Sequence, residues 1–472
     1  MTGLGLYDSS VPAGRKRAAF TSGEVPVAVY GLGKMGLPLA TVYAETAGDV
    51  IGVDVDPSVV EAVNAGECHV TGEPGLPDAL ESQVERDRLR ATTDGSAAAA
   101  ARVHVVIVPT LLSDDREPDL STVEAVADDI AAGLAPGDLV ILESTVPPGT
   151  CRDVLRPHLA AESGLEPDAF GLAFCPERTS TGTALRDIRG AYPKVVGGVD
   201  DESTRAAALI YDELTENEVH VVSGATTAEA VKVFEGVYRD VNIALANEFA
   251  RIADDLGTSV REAIATANEL PVCDIHDPGP GVGGHCIPYY PYFLFAQAEK
   301  PLPVTRAARD VNEGMPAHTV AVLADELAAD DLTLADASVL VLGLTYRAGV
   351  EETRASPGVD VVSILAERGA DVFAADPLVD PADYGATPVA LESIPSGSFD
   401  AVVLVTPHEE FERIEWESLD PTVVLDGRDA LEIEGTETSH RVRTLGGSRN
   451  GGPTVLERPR EEPVRSGADG DD

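Results

Sequence analysis

Short apolar runs alternate with longer stretches of helical spacing along most of the chain. From Val27 onward, turn residues bound the apolar runs, and Ala-, Glu- and Asp-rich segments of helical periodicity lie between them. Strands that alternate with helices in this way predict βαβ units and a doubly wound parallel sheet, which is an α/β fold. The predicted strands are Val27–Tyr30, Val50–Val53, Val103–Val108, Leu139–Leu142, Leu172–Phe174 and Val195–Val196.

A long helical stretch separates this block from a second one. The pattern predicts one uninterrupted helix from Thr226 to Leu256, and Gly257 is placed to end it. A second alternation of strands and helices follows and predicts another α/β block. Its strands are expected at Val339–Leu342, Asp371–Ala374, Val402–Val405 and Val423–Leu425. The predicted order is therefore an α/β block, a helical linker, a second α/β block and a polar tail.

The charge balance excludes several classes of partner. The 472 residues include 34 Lys and Arg against 81 Asp and Glu, a net charge of −47 that is spread along the chain. Such a charge disfavours binding to nucleic acid and to anionic membranes. Because few of the basic residues are Lys, we interpret the chain as adapted to high salt, which screens the repulsion between its carboxylates. An ordinary acidic protein is the alternative.

The five cysteines are scattered, form no C-x-x-C pair, and are accompanied by nine His without ligand spacing. This pattern indicates a reducing compartment, with the cytoplasm as the expectation, and predicts no metal site. No apolar run approaches the roughly 18 residues of a membrane-spanning helix. The N-terminal segment also lacks the apolar core of a signal peptide.

The first motif with chemical meaning is Gly31-Leu32-Gly33-Lys34-Met35-Gly36, which follows a predicted strand and opens a helix. Asp54 stands at the end of the next strand, as in dinucleotide-binding sites. In such sites the glycines allow the turn, the approach of a pyrophosphate, and the packing of helix on strand. A carboxylate at Asp54 would bind ribose hydroxyls and repel a 2′-phosphate, which favours NAD over NADP. A tight turn without a ligand is the alternative.

A second motif runs from Gly279 to Pro288 and contains the pair His285-Cys286. Four glycines within six positions predict backbone conformations that other residues avoid. One interpretation is a small buried cysteine in a structural turn. The other is a nucleophilic thiolate beside a ligand that lies against the glycine backbone. A nucleophilic cysteine together with NAD indicates aldehyde oxidation through a thioester.

Lys232 is one of the few lysines, and it stands among apolar neighbours on the predicted long helix. A partly buried lysine can carry a proton or stabilise an oxyanion. A surface lysine that extends along an amphipathic helix is the alternative interpretation.

Further motifs follow in a fixed order along the chain. They are Val108-Pro109-Thr110, Glu143-Ser144-Thr145-Val146-x-Pro148-Gly149-Thr150, Cys175-Pro176-Glu177-Arg178, Ala228-Glu229-x-x-Lys232, Ala246-Asn247-Glu248, Gly281-x-Gly283-Gly284-x-Cys286, Val341-Leu342-Gly343-Leu344-x-Tyr346-Arg347, Arg354-x-Ser356-Pro357 and Asp426-Gly427-Arg428. With them the chain resembles the UDP-glucose/GDP-mannose dehydrogenases, NAD-dependent enzymes that oxidise a nucleotide sugar at C6 to its uronic acid. Residues 27–446 carry the resemblance, which is strongest to the branch acting on UDP-N-acetylmannosamine or UDP-N-acetylglucosamine.

The resemblance implies two Rossmann-like domains bridged by a long central helix, a UDP-sugar substrate, and a homodimer or higher homo-oligomer. The expected segments are a flexible arm over 1–24, an NAD-binding Rossmann domain over 25–222, a central helical domain with the cysteine loop over 223–325, a nucleotide-sugar-binding α/β domain over 326–446, and a disordered acidic tail over 447–472.

The resemblance also implies roles for individual residues. Cys286 corresponds to the nucleophile and Lys232 to the proton carrier, while Glu177 and Thr145 match positions of acid–base help and water. The cofactor positions are Gly31, Leu32, Gly33, Lys34, Met35, Gly36, Asp54, Thr110, Thr145 and Arg354. The substrate positions are Arg178, Lys232, Arg239, Gly283, Tyr346, Arg347 and Arg428, with Arg347 where a Lys is usual.

Four positions depart from the family pattern around the expected sugar site. Gly236 replaces an Asn, Leu270 and Val272 replace a His and an Arg, and Tyr290 replaces an Asp. These changes leave a second hypothesis open, in which the chain is a nucleotide-sugar-binding paralogue with impaired catalysis. UDP-glucose is an alternative substrate. Tyr290 either packs inward or slows hydrolysis of the thioester, because a phenol is a poor base at neutral pH.

Overall fold

The computed structural model describes residues 4–8, 10–98, 100–433 and 440–447. These residues form two compact units. The first comprises the described residues of Met1–Tyr238 and Tyr289–Leu302, and the second those of Arg239–Pro288 and Pro303–Asp472. The predicted acidic tail over 447–472 lies outside the described residues except for Gly447.

The helices account for most of the chain between the strands. They are α1 (Ala13–Thr21), α2 (Gly36–Ala47), α3 (Pro57–Asn64), α4 (Leu76–Glu85), α5 (Ser121–Ala131), α6 (Arg156–Ser163), α7 (Ala184–Arg186), α8 (Asp201–Leu214), α9 (Ala225–Arg251), α10 (Ala253–Leu256), α11 (Val260–Ala267), α12 (Cys286–Gln297), α13 (Pro303–Glu313), α14 (Met315–Leu327) and α15 (Pro357–Glu367). Within the described ranges, no helix combines the length and the apolar character that a membrane crossing requires.

The strands of the first unit are β1 (Val27–Tyr30), β2 (Val50–Val53), β3 (Leu89–Thr92), β4 (Val103–Val106), β5 (Leu111–Leu112), β6 (Pro118–Asp119), β7 (Leu139–Leu142), β8 (Gly171–Phe174), β9 (Lys194–Gly198) and β10 (Val219–Val221). Eight of them form a sheet in the order β10-β9-β8-β7-β4-β1-β2-β3. Its neighbouring strands are parallel except β8 and β9. Strands β5 and β6 form a separate antiparallel pair.

The first sheet is covered on both faces, which explains why its strands are continuous apolar runs. Along β1, Val27 and Val29 enter one core cluster, while Ala28 and Tyr30 enter the other. Parallel strands with helices on both faces confirm the predicted α/β, doubly wound class for this unit.

The second unit repeats this architecture with fewer strands. Its strands are β11 (Ser338–Leu342), β12 (Asp371–Ala375), β13 (Thr387–Pro388), β14 (Ala401–Leu404), β15 (Val423–Asp426) and β16 (Arg441–Thr444). They form a sheet in the order β13-β12-β11-β14-β15-β16, and all described pairings are parallel. This order matches β3-β2-β1-β4-β7-β8 of the first sheet. The two Rossmann-like domains expected from the sequence are therefore both present.

The long helical stretch expected from Thr226 to Leu256 is split near its end. Helix α9 stops at Arg251, and the short α10 follows it after Ile252. Gly257 then ends the helical stretch in the left-handed conformation, with a φ of +64°. Glycine is favoured there because it has no Cβ to clash.

The described part of the N-terminal segment is ordered, so the expectation of a flexible arm over 1–24 is wrong for these residues. Helix α1 lies within the segment, and Leu6 and Phe20 are completely buried in the core of the first unit. Lys16 is buried as well, with its ammonium 2.6 Å from the Glu202 carboxylate. Three consecutive basic residues in α1 concealed this packing, because a buried ion pair leaves no apolar periodicity.

Candidate active site

The glycine motif forms the turn between β1 and α2 in the first unit. Gly31 has a φ of +96°, and a Cβ on it would lie 2.5 Å from the carbonyl oxygen of Ile107. A Cβ on Gly36 would lie 1.9 Å from the carbonyl oxygen of Gly31, so no larger residue fits there. Gly33, by contrast, faces open space. The turn therefore has two glycines required by packing and one that leaves its backbone accessible to a ligand.

Asp54 joins the end of β2 to the glycine turn. Its Oδ2 accepts a hydrogen bond from the backbone amide of Leu32 at 2.8 Å, and its Oδ1 accepts one from Asp56 at 3.0 Å. His69 contacts the same turn, with its Nε2 2.9 Å from the carbonyl oxygen of Leu32. A carboxylate has lone pairs left for further donors, such as ribose hydroxyls.

Two other expected cofactor residues meet at the ends of β4 and β7. The hydroxyl of Thr110 donates to the backbone carbonyl of Thr145 at 2.6 Å. Met35 receives a contact from the hydroxyl of Thr179 at 3.1 Å, which connects the glycine turn to the segment after β8. The C-terminal edge of a doubly wound sheet is where such folds bind ligands.

Lys232 and Glu177 are adjacent, as their shared assignment to catalysis requires. The Lys232 ammonium is mostly buried and donates to the backbone carbonyl of Glu177. It also lies 3.7 Å from the Glu177 carboxylate, which accepts a hydrogen bond from the amide of Thr179. The burial excludes the alternative of a surface lysine. A buried ammonium beside a carboxylate can exchange a proton with a substrate hydroxyl.

Arg178 is engaged within the first unit. Its guanidinium binds both carboxylate oxygens of Glu235, the shorter contact being 2.7 Å, and donates to the carbonyl of Pro193 at 3.0 Å. Arg239, also expected at the substrate, is exposed on α9.

A buried ion pair that was not predicted from the sequence lines the same cavity as Glu177. Lys194 Nζ is 2.7 Å from the carboxylate of Glu143, which also accepts a hydrogen bond from Tyr211. Burial raises the pKa of Glu143, and the Lys194 charge opposes that rise. A cavity of about 30 Å³ is lined by Glu143, Lys194 and Glu177 among other residues. That volume accommodates a water molecule.

In the second unit, the glycine–cysteine loop packs closely against Tyr346. A Cβ on Gly283 would lie 2.7 Å from the Cβ of Tyr346, and one on Gly284, whose φ is +85°, would lie 2.9 Å from its ring. Burial raises the pKa of Tyr346; Arg347 opposes that rise and Cys286 adds to it, so the three groups are close. Cys286 is an exposed thiol at the start of α12. Its exposure excludes the interpretation as a buried structural cysteine.

Arg428 contacts the same loop. Its guanidinium donates to the carbonyls of Val405 at 3.0 Å and Gly281 at 3.4 Å, and a Cβ on Gly279 would lie 2.3 Å from it. Burial, together with the nearby Arg261, lowers the pKa of Arg428 to about 10, so it is charged at neutral pH. Arg261 itself binds the carbonyls of Leu445, Pro278 and Gly427. Two guanidiniums oriented by carbonyl oxygens are donors of the kind that bind phosphate, and the carboxylates of Asp426 and Asp277 also lie near Arg428.

The remaining expected positions are arranged around this loop or exposed. The backbone carbonyl of Arg354 accepts a hydrogen bond from Gly284 at 2.9 Å, while the Arg347 side chain is exposed. Leu270 and Val272, which stand where the family has a His and an Arg, are exposed by 62% and 96%.

Three family models match consecutive parts of the chain. They are the NAD binding domain over residues 25–215, the central domain over 226–314 and the UDP binding domain over 340–433 of one family. The chain belongs to the UDP-glucose/GDP-mannose dehydrogenase family. The resemblance stated from the motifs is thus confirmed, and the chain is an NAD-dependent UDP-sugar dehydrogenase.

Individual members of the dehydrogenase family are similar along nearly their whole length. UDP-N-acetyl-D-mannosamine dehydrogenase of Pyrococcus horikoshii is 36% identical over 412 residues, covering 86% of this chain and 96% of the relative. NDP-N-acetyl-D-galactosaminuronic acid dehydrogenase of Ralstonia nicotianae is 34% identical, covering 85% and 95%. A solved structure of the UDP-D-ManNAc dehydrogenase from Pyrococcus horikoshii has a TM-score of 0.83 at 35% identity, covering 89% of this chain and 99% of that one.

The dehydrogenase fits its cofactor, NAD. Gly33 leaves the turn accessible, α2 begins directly after the turn, and Asp54 presents a carboxylate at the adjacent strand end. A helix N-terminus next to an accessible backbone suits a pyrophosphate, and the carboxylate suits a ribose. His69, Lys194, Glu143 and Arg261 are further neighbours of the expected sites that were not predicted from the sequence. Two signals were present: lysine is scarce, which applies to Lys194 as well as to Lys232, and Glu143 opens one of the family motifs.

Proposed function

We propose that this dehydrogenase oxidises a UDP-N-acetylhexosamine, with UDP-N-acetylmannosamine as the first candidate, at C6 to the uronic acid. The observation that carries the proposal is the exposed Cys286 at the end of a glycine loop that is held by Tyr346 and Arg428. The names of the relatives from Pyrococcus horikoshii and Ralstonia nicotianae support an N-acetylated sugar.

The chemistry follows from two groups of the chain and one water. Bound NAD, held by the glycine turn and Asp54, supplies the hydride acceptor for both oxidations. Once the Lys232 ammonium has passed a proton to Glu177, its neutral amine takes the proton of the C6 hydroxyl as the alcohol becomes an aldehyde. The Cys286 sulfur then adds to the aldehyde carbon, and loss of the second hydride converts this thiohemiacetal to a thioester. Water cleaves the thioester, which releases the carboxylate and returns the thiol, so each sugar consumes two NAD and one water.

Glu177 and Thr145 complete the proposed acid–base set in the first unit. The Glu177 carboxylate is 3.7 Å from the Lys232 ammonium, a distance that allows it to receive the proton through a water. In the second unit, we assign the UDP diphosphate to Arg428 and Arg347, and the glycine backbone at Gly283 to the sugar side. Arg428 offers a fixed charge because carbonyl oxygens orient its guanidinium.

We also propose a homodimer, supported by an exposed apolar stripe on α9. Phe234, Tyr238 and Leu245 are each exposed by 42% or more. Their spacings of four and seven residues place them on one side of the helix. A second copy of the chain is the partner that the family resemblance implies.

All five cysteines are thiols, which supports the expected reducing cytoplasm.

The test is NADH formation from a panel of UDP- and GDP-sugars in molar KCl. We expect UDP-N-acetylmannosamine or another UDP-N-acetylhexosamine to give the highest kcat/KM, with two NADH formed per sugar. A higher kcat/KM for UDP-glucose would instead establish the alternative substrate. Binding of UDP-sugars without any NADH formation would contradict the proposal and establish a binding paralogue.

A further inference from the structure

Two of the four departures from the family pattern are in contact with one another in the first unit. A Cβ built on Gly236 would lie 2.1 Å from Cδ2 and 2.9 Å from Cε2 of the Tyr290 ring. Real Cβ atoms do not approach other carbons so closely, so any larger residue at 236 would displace the ring or the helix. The Tyr290 ring on α12 therefore requires a glycine at position 236 of α9.

The ring of Tyr290 is held on several sides. Only 7% of the residue is exposed, and it packs in a cluster with Val233 and Phe293. The Phe293 ring is stacked on it with a centroid separation of 5.9 Å. The inward packing considered in the sequence analysis is thus what the structure shows. Packing alone, however, leaves the hydroxyl group unexplained.

The Tyr290 hydroxyl reaches a residue of the expected cofactor site. It lies 3.2 Å from the hydroxyl of Thr145. The backbone carbonyl of Thr145 accepts a hydrogen bond from the Thr110 hydroxyl. A phenol is the stronger acid of the two hydroxyl groups, so Tyr290 is the preferred donor. With Tyr290 donating, the Thr145 proton is directed to a different acceptor.

The pair also lies next to Lys232. Gly236 follows Lys232 by four residues on α9, so both are on the same face of the helix. Because Gly236 has no side chain, the Tyr290 ring can pack against α9 one helical turn from Lys232, whose ammonium contacts Glu177. Thr145 and Lys232 are both assigned to the reaction; Tyr290 contacts the first through its hydroxyl and packs one helical turn from the second.

We propose that Tyr290 is a positioning residue that orients the Thr145 hydroxyl for the reaction and for NAD binding, and that Gly236 is the position that makes this possible. The proposal rests on the proposed function for its kinetic consequence. Its structural consequence, the dependence of the Tyr290 ring on Gly236, is independent of any substrate.

The structural consequence is tested by thermal unfolding of Gly236→Ala in two backgrounds. In the natural background the added methyl meets the ring, so we expect Tm to fall by several degrees. In a Tyr290→Leu background the ring is absent, and alanine favours the helix over glycine, so Tm should stay constant or rise. If Tyr290→Leu does not fold, Tyr290→Met replaces it as the background. Equal falls of Tm in both backgrounds would overturn this dependence.

The role of the hydroxyl is tested with Tyr290→Phe, which keeps the ring and removes one oxygen. We expect kcat to fall about tenfold, the KM for the UDP-sugar to stay within about twofold, and NAD to bind more weakly by about threefold. Tyr290→Phe should add little to the losses caused by Thr145→Val, since the Tyr290 hydroxyl acts through the hydroxyl that Thr145→Val has already removed. Tyr292→Phe on the same helix is the matched control and should leave kcat unchanged.

Wild-type kcat and NAD affinity in Tyr290→Phe would overturn the positioning role and leave Tyr290 as packing. If the unaltered chain oxidises no sugar of the panel, the proposed function fails. The NAD dissociation constant, measured by fluorescence titration, then decides this proposal by itself. A dissociation constant equal to that of the unaltered chain contradicts it, and a weaker one supports it.

Discussion

The carboxylate of Asp54 accepts a hydrogen bond from the backbone amide of Leu32, with 2.8 Å between the oxygen and the nitrogen. This bond fixes the charged group of the β2 end directly against the glycine turn. The second unit has the same arrangement, with the amide of Leu344 2.7 Å from the carboxylate of Asp376. The glycines are similar as well. A Cβ on Gly358 would lie 2.4 Å from the carbonyl oxygen of Gly343, just as one on Gly36 would lie too close to that of Gly31.

Asp54 is predicted to set the choice of NAD over NADP. Asp54→Asn keeps an oxygen for the Leu32 amide but removes the charge that repels a 2′-phosphate. We expect the ratio of kcat/KM for NAD to that for NADP to fall about tenfold or more. The measurement is steady-state kinetics with both cofactors in molar KCl. Better use of NADP than NAD by the unaltered enzyme would refute the role assigned to Asp54.

Cys286 is predicted to be the nucleophile that adds to the aldehyde and so makes the second oxidation possible. Cys286→Ser should lose turnover by about three orders of magnitude or more, because a serine hydroxyl is far less nucleophilic than a thiol at neutral pH. NAD binding, measured by fluorescence titration, should stay within about twofold. Cys273→Ser, a half-buried cysteine of the same unit, is the control and should retain full activity. NADH production by Cys286→Ser at the normal rate would show that the thiol is not catalytic.

Removing Lys194 is predicted to destabilise the first unit strongly. Lys194→Met would leave the completely buried Glu143 carboxylate without its ion-pair partner, at a cost of about 3–5 kcal/mol. Lys194→Met combined with Glu143→Gln should recover part of that loss, because no charge then stays buried. As a control, Arg90→Met breaks the exposed pair with Asp49 and should cost less than about 1 kcal/mol. Urea unfolding measures all three, and similar losses in Lys194→Met and Arg90→Met would contradict the prediction.

Asp376 is predicted to make stability depend on pH in the acidic range. Burial by itself would raise its pKa, but hydrogen bonds from His408 and from the backbone amides of Thr345, Leu378 and Leu344 lower it from 3.8 to about 2. A lowered pKa stabilises the fold above pH 3.8, and this stabilisation is lost as the pH falls through about 2. Asp376→Asn should therefore cost about 2 kcal/mol at pH 7 and almost nothing near pH 2.

The measurement for Asp376 is the free energy of unfolding from pH 7 to pH 2. Asp371→Asn, an exposed carboxyl on β12, serves as the control and should show no such dependence. A constant difference between Asp376→Asn and the unaltered protein across this range would disprove the assignment.

The net charge of −47 is predicted to make the enzyme dependent on salt. At about 0.01 M salt the Debye length reaches roughly 30 Å, and carboxylates across the surface repel one another. Dialysis into such a buffer should lower Tm and dissociate any dimer, as followed by circular dichroism and light scattering. An unchanged Tm between dilute buffer and molar KCl would mean that the acidic residues only confer solubility.

Much of the fold was predictable because its signals are local in the chain. The strands β1, β2, β7 and β11 match the apolar runs, and buried parallel strands consist of such runs irrespective of what they contact. Gly257 ends its helix and Gly31 forms its turn with positive φ angles. Glycine adopts such angles without help from other parts of the chain, so the residue type alone predicts them. The motifs that identify the family are equally local, which is why Cys286 and Lys232 were assigned before any contact was known.

Only the tertiary structure decided which residues that are far apart in the chain pair with one another. The antiparallel pairing of β8 with β9, the burial of Leu6, and the ion pair of Lys194 with Glu143 leave no periodic signal in the sequence. The same holds for Gly236 and Tyr290, two departures from the family pattern that are far apart in the chain and in contact in the structure. Side chains match in volume and charge with residues that are close in space but distant in the chain. The sequence therefore shows the individual residues but not which of them come into contact.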